Sequence, residues 1–476
     1  MASLPLLLYQ LVARYLPVTS KQAVAAAIAG SIYPAVTTFS QVALSENALL
    51  PLTCVWLLLV ADLFSGSVRP MWVAVLFGAC SALMWAIHGR MVVALGLALV
   101  AAVRLLYLRR IKEGGLLLAV LLGGAGGVQA LNAFLIAHNY AGSATDGTGA
   151  RLSAIFGFHP LVTVLENLVG QSWYLVVSTF GLTLVLARLA TGRADRTTIR
   201  GSPPLGPLRP WLLALTGGLL LVSAAAFPTR TRPDMFVYGR YVEVVCPPLV
   251  TCGLAWLPSS RPPFRWTAAV IVLLTAAVAV IRVVAVGGGA PDRWDVSALP
   301  FLTFDLGAGV LGGAGLVALV GARLLLLPSS RRRVQAPVVV MALFLPVIAY
   351  TVWNPVITSQ RAVYPSGWQS PQTVASKYHM RVIDYDLANY DVIGLYVTQW
   401  FLPHTHVMLI NGSHFNPADA FVFAAGNRSS TAHPGYSIVW RDAGRDQVLW
   451  ANRANAVADA GRSEHAASLE RGAVHG

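Results

Sequence analysis

Between residues 229 and 243 the chain reads Thr-Arg-Thr-Arg-Pro-Asp-Met-Phe-Val-Tyr-Gly-Arg-Tyr-Val-Glu. Arg230, Arg232 and Arg240 sit there among two carboxylates, Asp234 and Glu243, and two phenols, Tyr238 and Tyr241. Guanidinium groups grip phosphate oxygens through paired N–H donors. Three arginines against two acids leave positive charge over, so this stretch could seat an anionic headgroup. The competing reading is a loop salt-bridged within itself, Arg240 to Glu243 for instance. Two shorter pieces carry related chemistry. Glu46, in Ser45-Glu46-Asn47, could orient a sugar hydroxyl or a polar partner, or simply complement a helix start. His88-Gly89-Arg90 makes a tight turn between two apolar runs, where Arg90 could meet a phosphate or belong to a plain turn.

Other chemistries have no visible seat. The chain holds no Walker loop, no HExxH and no CxxC. Its cysteines, Cys54, Cys80, Cys246 and Cys252, all fall within apolar runs and read as buried thiols. Residues 139–168, with Asp146, Arg151, His159 and Glu166, form a long connection of the kind that covers a cleft. The following Gly170-Gln171-Ser172-Trp173-Tyr174 places aromatics where interface anchors are common.

The elements that must position these residues are membrane helices. Of 476 residues, 56% are hydrophobic and only 11% are charged, with a mean hydropathy of +0.63. Soluble domains carry about 25% charged residues. About twelve runs approach the roughly 20 apolar residues of a span: 3–17, 22–38, 48–65, 71–88, 91–108, 116–137, 169–190, 211–227, 242–257, 267–286, 304–327 and 337–354. The net charge is +14, yet residues 361–476 hold nine basic and nine acidic side chains, so the excess lies in the apolar part. There the basic residues punctuate the runs, which is a topology signal rather than the clustered basic face of a nucleic-acid binder. Lys21, Arg69, Arg109-Arg110-Lys112, Arg188 to Arg209, Arg261 with Arg265, and Arg331-Arg332-Arg333 fall on one side, expected to be cytoplasmic. The loops with Glu46, Arg90 and Arg240 then face outward, as does everything after about residue 356. Residue 1 also falls outside, which implies that a preceding span and its outer loop are absent from this chain; the alternative is a re-entrant first run, which puts the terminus inside.

The expected architecture is an α-helical polytopic membrane domain over 1–355, a small extracytoplasmic α/β domain over 356–454, and a disordered tail over 455–476. Within the small domain, 370–378 and 391–401 read as helices. Met380–Tyr385, His406–Ile410, Ala420–Ala424, Tyr436–Trp440 and Gln447–Ala451 read as strands, the last two joined by a hairpin turn at Asp-Ala-Gly-Arg-Asp.

This layout resembles the GT-C superfamily of polytopic membrane glycosyltransferases. The resemblance rests on Tyr33-Pro-Ala-Val…Leu44-Ser-Glu-Asn-Ala-Leu-Leu-Pro-Leu52 and on Val237-Tyr-Gly-Arg-Tyr-Val-Glu-Val-Val-Cys-Pro-Pro-Leu-Val250. Gly170-Gln-Ser-Trp-Tyr-Leu is similar to actinobacterial members. Such enzymes move a sugar from a polyprenyl-phosphate donor to an extracytoplasmic protein, lipid or glycan, by inverting displacement. By that resemblance Arg240 faces the lipid phosphate with Tyr241 beside it, and Glu46 lies near the cleft. Some relatives use a divalent metal and others none. The superfamily's catalytic carboxylate belongs to the first outer loop, and residues 1–45 contain no Asp or Glu; Glu46, Asp234 and Glu243 are the substitutes at hand. A multispan transporter of an anionic or lipid-linked substrate and a non-catalytic membrane partner are the alternatives.

Overall fold

The computed structural model describes residues 2–16, 18–40, 45–66, 69–139, 158–191, 208–227, 233–257, 264–286, 296–299, 302, 306–326, 332–353 and five strands. The helices are α1 (Leu4–Tyr15), α2 (Ser20–Ser31), α3 (Pro34–Ser40), α4 (Glu46–Phe64), α5 (Pro70–Ile87), α6 (Val92–Tyr107) and α7 (Ile111–Asn139). They continue with α8 (Phe158–Ser178), α9 (Leu182–Thr191), α10 (Leu208–Ala225), α11 (Cys246–Trp256), α12 (Phe264–Ala285), α13 (Ala308–Leu326) and α14 (Arg332–Trp353). Short 3-10 turns lie at Gly89–Met91, Pro233–Val237 and Glu243–Val245.

Seven helices are long and apolar enough to cross a membrane, and nine if each of two bent pairs counts as one span, among the described residues. All twelve apolar runs are helical, but they are not twelve equal spans. The runs at 22–38 and 169–190 are broken helices, α2 with α3 bent by 55° and α8 with α9 bent by 106°. Three others form shorter helices: α1, Glu243–Trp256 and Gln335–Ala349. The breaks have local causes. Pro34 opens α3, and the residue before a proline is driven from helical dihedrals. Between α8 and α9, Phe180 and Gly181 take φ of 50° and 77°, and the Gly181 N–H closes on the Val176 carbonyl at 2.8 Å, which ends the helix in a left-handed turn.

One continuous apolar core runs through these helices. It also holds paired polar groups, such as the Trp56 Nε1–H donating to Ser81 Oγ at 2.9 Å. The four cysteines are buried and free, as their apolar neighbourhoods require.

The chain divides into two units, 1–128 with 147–354, and 129–146 with 355–476. The second carries a five-stranded sheet, β1 (Val382–Asp386), β2 (His406–Ile410), β3 (Phe421–Ala425), β4 (Tyr436–Asp442) and β5 (Gln447–Asn452), in the order β2-β1-β3-β5-β4. β1 is parallel to β2 and β3, while β5 runs antiparallel to both β3 and β4. The five strands fall within a residue or two of the alternating segments in the sequence, and β4 and β5 form the expected hairpin. Val422, Val448 and Trp450 pack as the small core of this sheet. The helices expected at 370–378 and 391–401, and the tail, lie outside the described residues.

Candidate functional site

Three connections meet at one end of the helical unit. α4 starts at Glu46, antiparallel α5 ends at Ile87, and the Gly89–Met91 turn leads into α6, so Glu46, His88 and Arg90 share that end. α10 arrives at Ala225 and α11 departs at Cys246, so the segment carrying Arg240 joins them.

Glu46 lies at the centre. Its Oε1 accepts from Arg90 Nη2 at 3.0 Å and from Arg240 Nε at 3.0 Å, and its Oε2 faces Arg240 Nη2 at 3.4 Å. Ser45 Oγ donates to Oε2 at 3.2 Å instead of capping α4. The carboxylate has no exposed surface, the Arg90 side chain is 2% exposed, and that of Arg240 is 18% exposed. The arrangement is a carboxylate holding two guanidiniums, one sealed and one at the surface. Among the described residues, two positive charges against one negative leave the cluster cationic. Arg90 Nε and Nη1 are buried with no hydrogen-bond partner, and buried donors in that state are rare.

An aromatic cluster adjoins the Arg90 guanidinium. The Arg90 guanidinium lies 4.6 Å from the centroid of the Tyr241 ring. Tyr241 meets His88 edge-on at 5.4 Å and Tyr238 at 4.7 Å, and Phe227 stacks on Tyr241 at 6.0 Å. His88 Nδ1 accepts from the Arg90 backbone N–H at 3.3 Å, which fixes the imidazole as a neutral acceptor at that nitrogen. Burial, and behind it the charge of Arg90, push the His88 pKa down to about 3.

The segment bearing Tyr238, Arg240 and Tyr241 is held by one face of α8. Asn167 Nδ2 donates to the Phe227 carbonyl at 3.0 Å, Gln171 Nε2 to the Met235 carbonyl at 3.3 Å, and Tyr174 Oη to Glu243 Oε1. The three fall at i, i+4 and i+7, one stripe of the helix. Glycines allow the close approach: a Cβ at Gly170 would strike the Phe236 carbonyl, and one at Gly239 would strike the Tyr174 ring. Gly239 also takes the Val242 and Glu243 N–H bonds on its carbonyl, at 2.9 and 3.0 Å.

Tyr174 and Trp173 are therefore not interface anchors; both are fully buried. Tyr174 is part of the site's frame, and the signal in the sequence was the polar stripe Asn167, Gln171, Tyr174 in an apolar run. Glu243 does not pair with Arg240 in a hydrogen bond; its Oε1 takes the Tyr174 hydroxyl and the Ala298 N–H, the latter at 2.9 Å, and its Oε2 has no partner. Asp234 lies in the Pro233–Val237 turn, with its side chain outside the described set, and Arg230 and Arg232 lie outside the described residues altogether, as do Asp146 and Arg151. Among the described residues, no group of three or more His, Cys, Asp or Glu side chains could hold a metal ion.

No protein-family model, curated protein or solved structure matches this chain.

Proposed function

We propose that the chain is a membrane glycosyltransferase of GT-C type, which takes a sugar from a polyprenyl-phosphate donor and passes it to an extracytoplasmic acceptor. The observation that carries this reading is the cationic Arg90–Glu46–Arg240 cluster at the helix ends, one arginine sealed and one reaching the surface. A lipid phosphate arriving along the helices meets Arg240 first, and the adjoining rings of Tyr238, Tyr241 and Phe227 offer apolar faces to a sugar. As the glycosidic carbon–oxygen bond to phosphate breaks, the two guanidiniums receive the developing charge. The new bond forms to the acceptor oxygen, whose proton passes to a carboxylate. Glu46 is committed to both arginines and Glu243 to Tyr174 and Ala298. Asp234 therefore takes the base role in this reading.

The test is transfer from a labelled polyprenyl-phosphate sugar to a crude envelope acceptor mix, using membranes that hold the full chain. Arg240→Ala, which removes the surface arginine, is expected to lower transfer and donor binding together by at least 100-fold. Transfer at the original rate would sink the phosphate seat.

One observation favours a carrier instead. The two broken helices meet at their breaks, where Tyr33 Oη donates to Ser178 Oγ at 3.0 Å, and discontinuous helices are the usual frame of a transporter's substrate site. Net movement of labelled lipid phosphate across proteoliposomes without acceptor would select that reading.

A further inference from the structure

The opposite end of the helical unit carries a pattern that the site does not use. α4 is 19 residues long, so its Phe64 end lies about 28 Å from Glu46. There the Arg104 guanidinium sits over the Phe64 ring at 5.0 Å, and Phe64 stacks on Trp211 at 5.6 Å. Arg209 lies over Trp256 at 6.0 Å, Arg188 over Trp266 at 5.6 Å, and Arg323 over Phe264 at 5.1 Å. These residues belong to the ends of α4, α6, α9, α11 and α13 and the starts of α10 and α12. Four of the five arginine–aromatic stacks among the described residues are thus gathered at this one end.

A stacked guanidinium gives its face to the ring and keeps its N–H donors in the plane, pointing outward along the edge. Arg104 and Arg323 are exposed, whereas Arg209 Nη1 is buried with no hydrogen-bond partner. Among the described residues, the acids at this end are held by other bases: Asp62 faces Arg14 at 3.8 Å, and Glu113 pairs with Arg110 at 3.3 Å. Trp72, Tyr107 and Trp266 are 67%, 86% and 37% exposed at the same level. Exposed Trp and Tyr at helix ends mark the headgroup layer of a bilayer. The arginines are therefore held at the depth of lipid phosphates, each on a rigid aromatic support.

We propose that Arg104 and Arg323, both exposed, are seats for the phosphate groups of anionic phospholipids in the leaflet facing this end. The proposal does not depend on the transferase reading. Juxtamembrane arginine near an anionic surface contributes about 1 kcal/mol, or about five-fold, per residue.

The full chain, equilibrated in mixed micelles of phosphatidylglycerol and phosphatidylcholine at equal concentration, tests it by native mass spectrometry of the retained lipids. The expected result is retention of phosphatidylglycerol over phosphatidylcholine, reduced about 25-fold in R104Q/R323Q at two five-fold steps. R104K/R323K keeps the charge without the flat stack and is expected to fall between the two. K112Q, at the same end but without a ring beneath it, is expected to cost no more than about one five-fold step. Equal retention of both lipids, or a preference unchanged in R104Q/R323Q, would overturn the proposal. So would glycerol phosphate displacing the lipid at equal concentration, because the ligand would then be free phosphate rather than a leaflet.

Discussion

Glu46→Gln separates a counter-ion from a catalytic base. The substitution keeps shape and removes the one negative charge between two guanidiniums. Arg90 Nη2 and Arg240 Nε each lie 3.0 Å from the same oxygen, so they are at most about 6 Å apart, and their repulsion at an effective dielectric of ~20 is about 3 kcal/mol. The amide also turns an N–H₂ group toward one of the arginines. Breaking a buried pair by removing one partner costs about 3–5 kcal/mol, and both estimates point the same way. The assay is reversible unfolding in mixed detergent micelles, run with and without inorganic phosphate. Glu46→Gln is expected to lose about 3–5 kcal/mol and to regain more from phosphate than the unaltered chain does, since an oxyanion can replace the lost carboxylate. Arg90→Met on top of Glu46→Gln should recover part of the loss, with a coupling of about 2 kcal/mol between the two positions. A loss below about 1 kcal/mol would refute the reasoning. Normal stability and donor binding with turnover abolished would instead make Glu46 the base.

The remaining predictions concern the frame around that cluster. Gly239→Ala puts a methyl group into the Tyr174 ring and should cost about 1–3 kcal/mol, read by the same unfolding assay; an unchanged midpoint would mean that the loop and α8 do not pack as described. Tyr174→Phe strips one of the two donors from the buried Glu243 carboxyl and should cost about 1–3 kcal/mol, with the cleavage rate of the 227–243 segment by trypsin rising in parallel. His88 is depressed to about 3 in the folded chain from an ordinary 6.5. Its contribution to stability is therefore full above pH 6.5 and is lost progressively as the pH falls toward 3. Melting temperatures measured from pH 7 to pH 4 should fall more steeply in the original chain than in His88→Gln, and parallel curves would contradict the buried neutral imidazole.

The sequence by itself determined what each segment is. Runs of apolar residues become helices because a lipid-immersed backbone must satisfy its own hydrogen bonds, and alternation over 382–386, 406–410, 421–425, 436–442 and 447–452 set the strands. The excess of arginine at 229–243 was legible because charge is a property of composition. Which runs cross intact was not legible. Pro34, Phe180 and Gly181 break two of them, and their bends depend on what the freed backbone packs against. Only the tertiary structure decided the partners. Glu46 meets Arg90 from 44 positions away and Arg240 from 194. Apolar faces are interchangeable in lipid and do not choose among neighbours, so the choice falls to a few buried polar bonds. The Asn167, Gln171 and Tyr174 stripe makes that choice for the loop carrying Arg240, and the loop in turn brings its guanidinium onto Glu46.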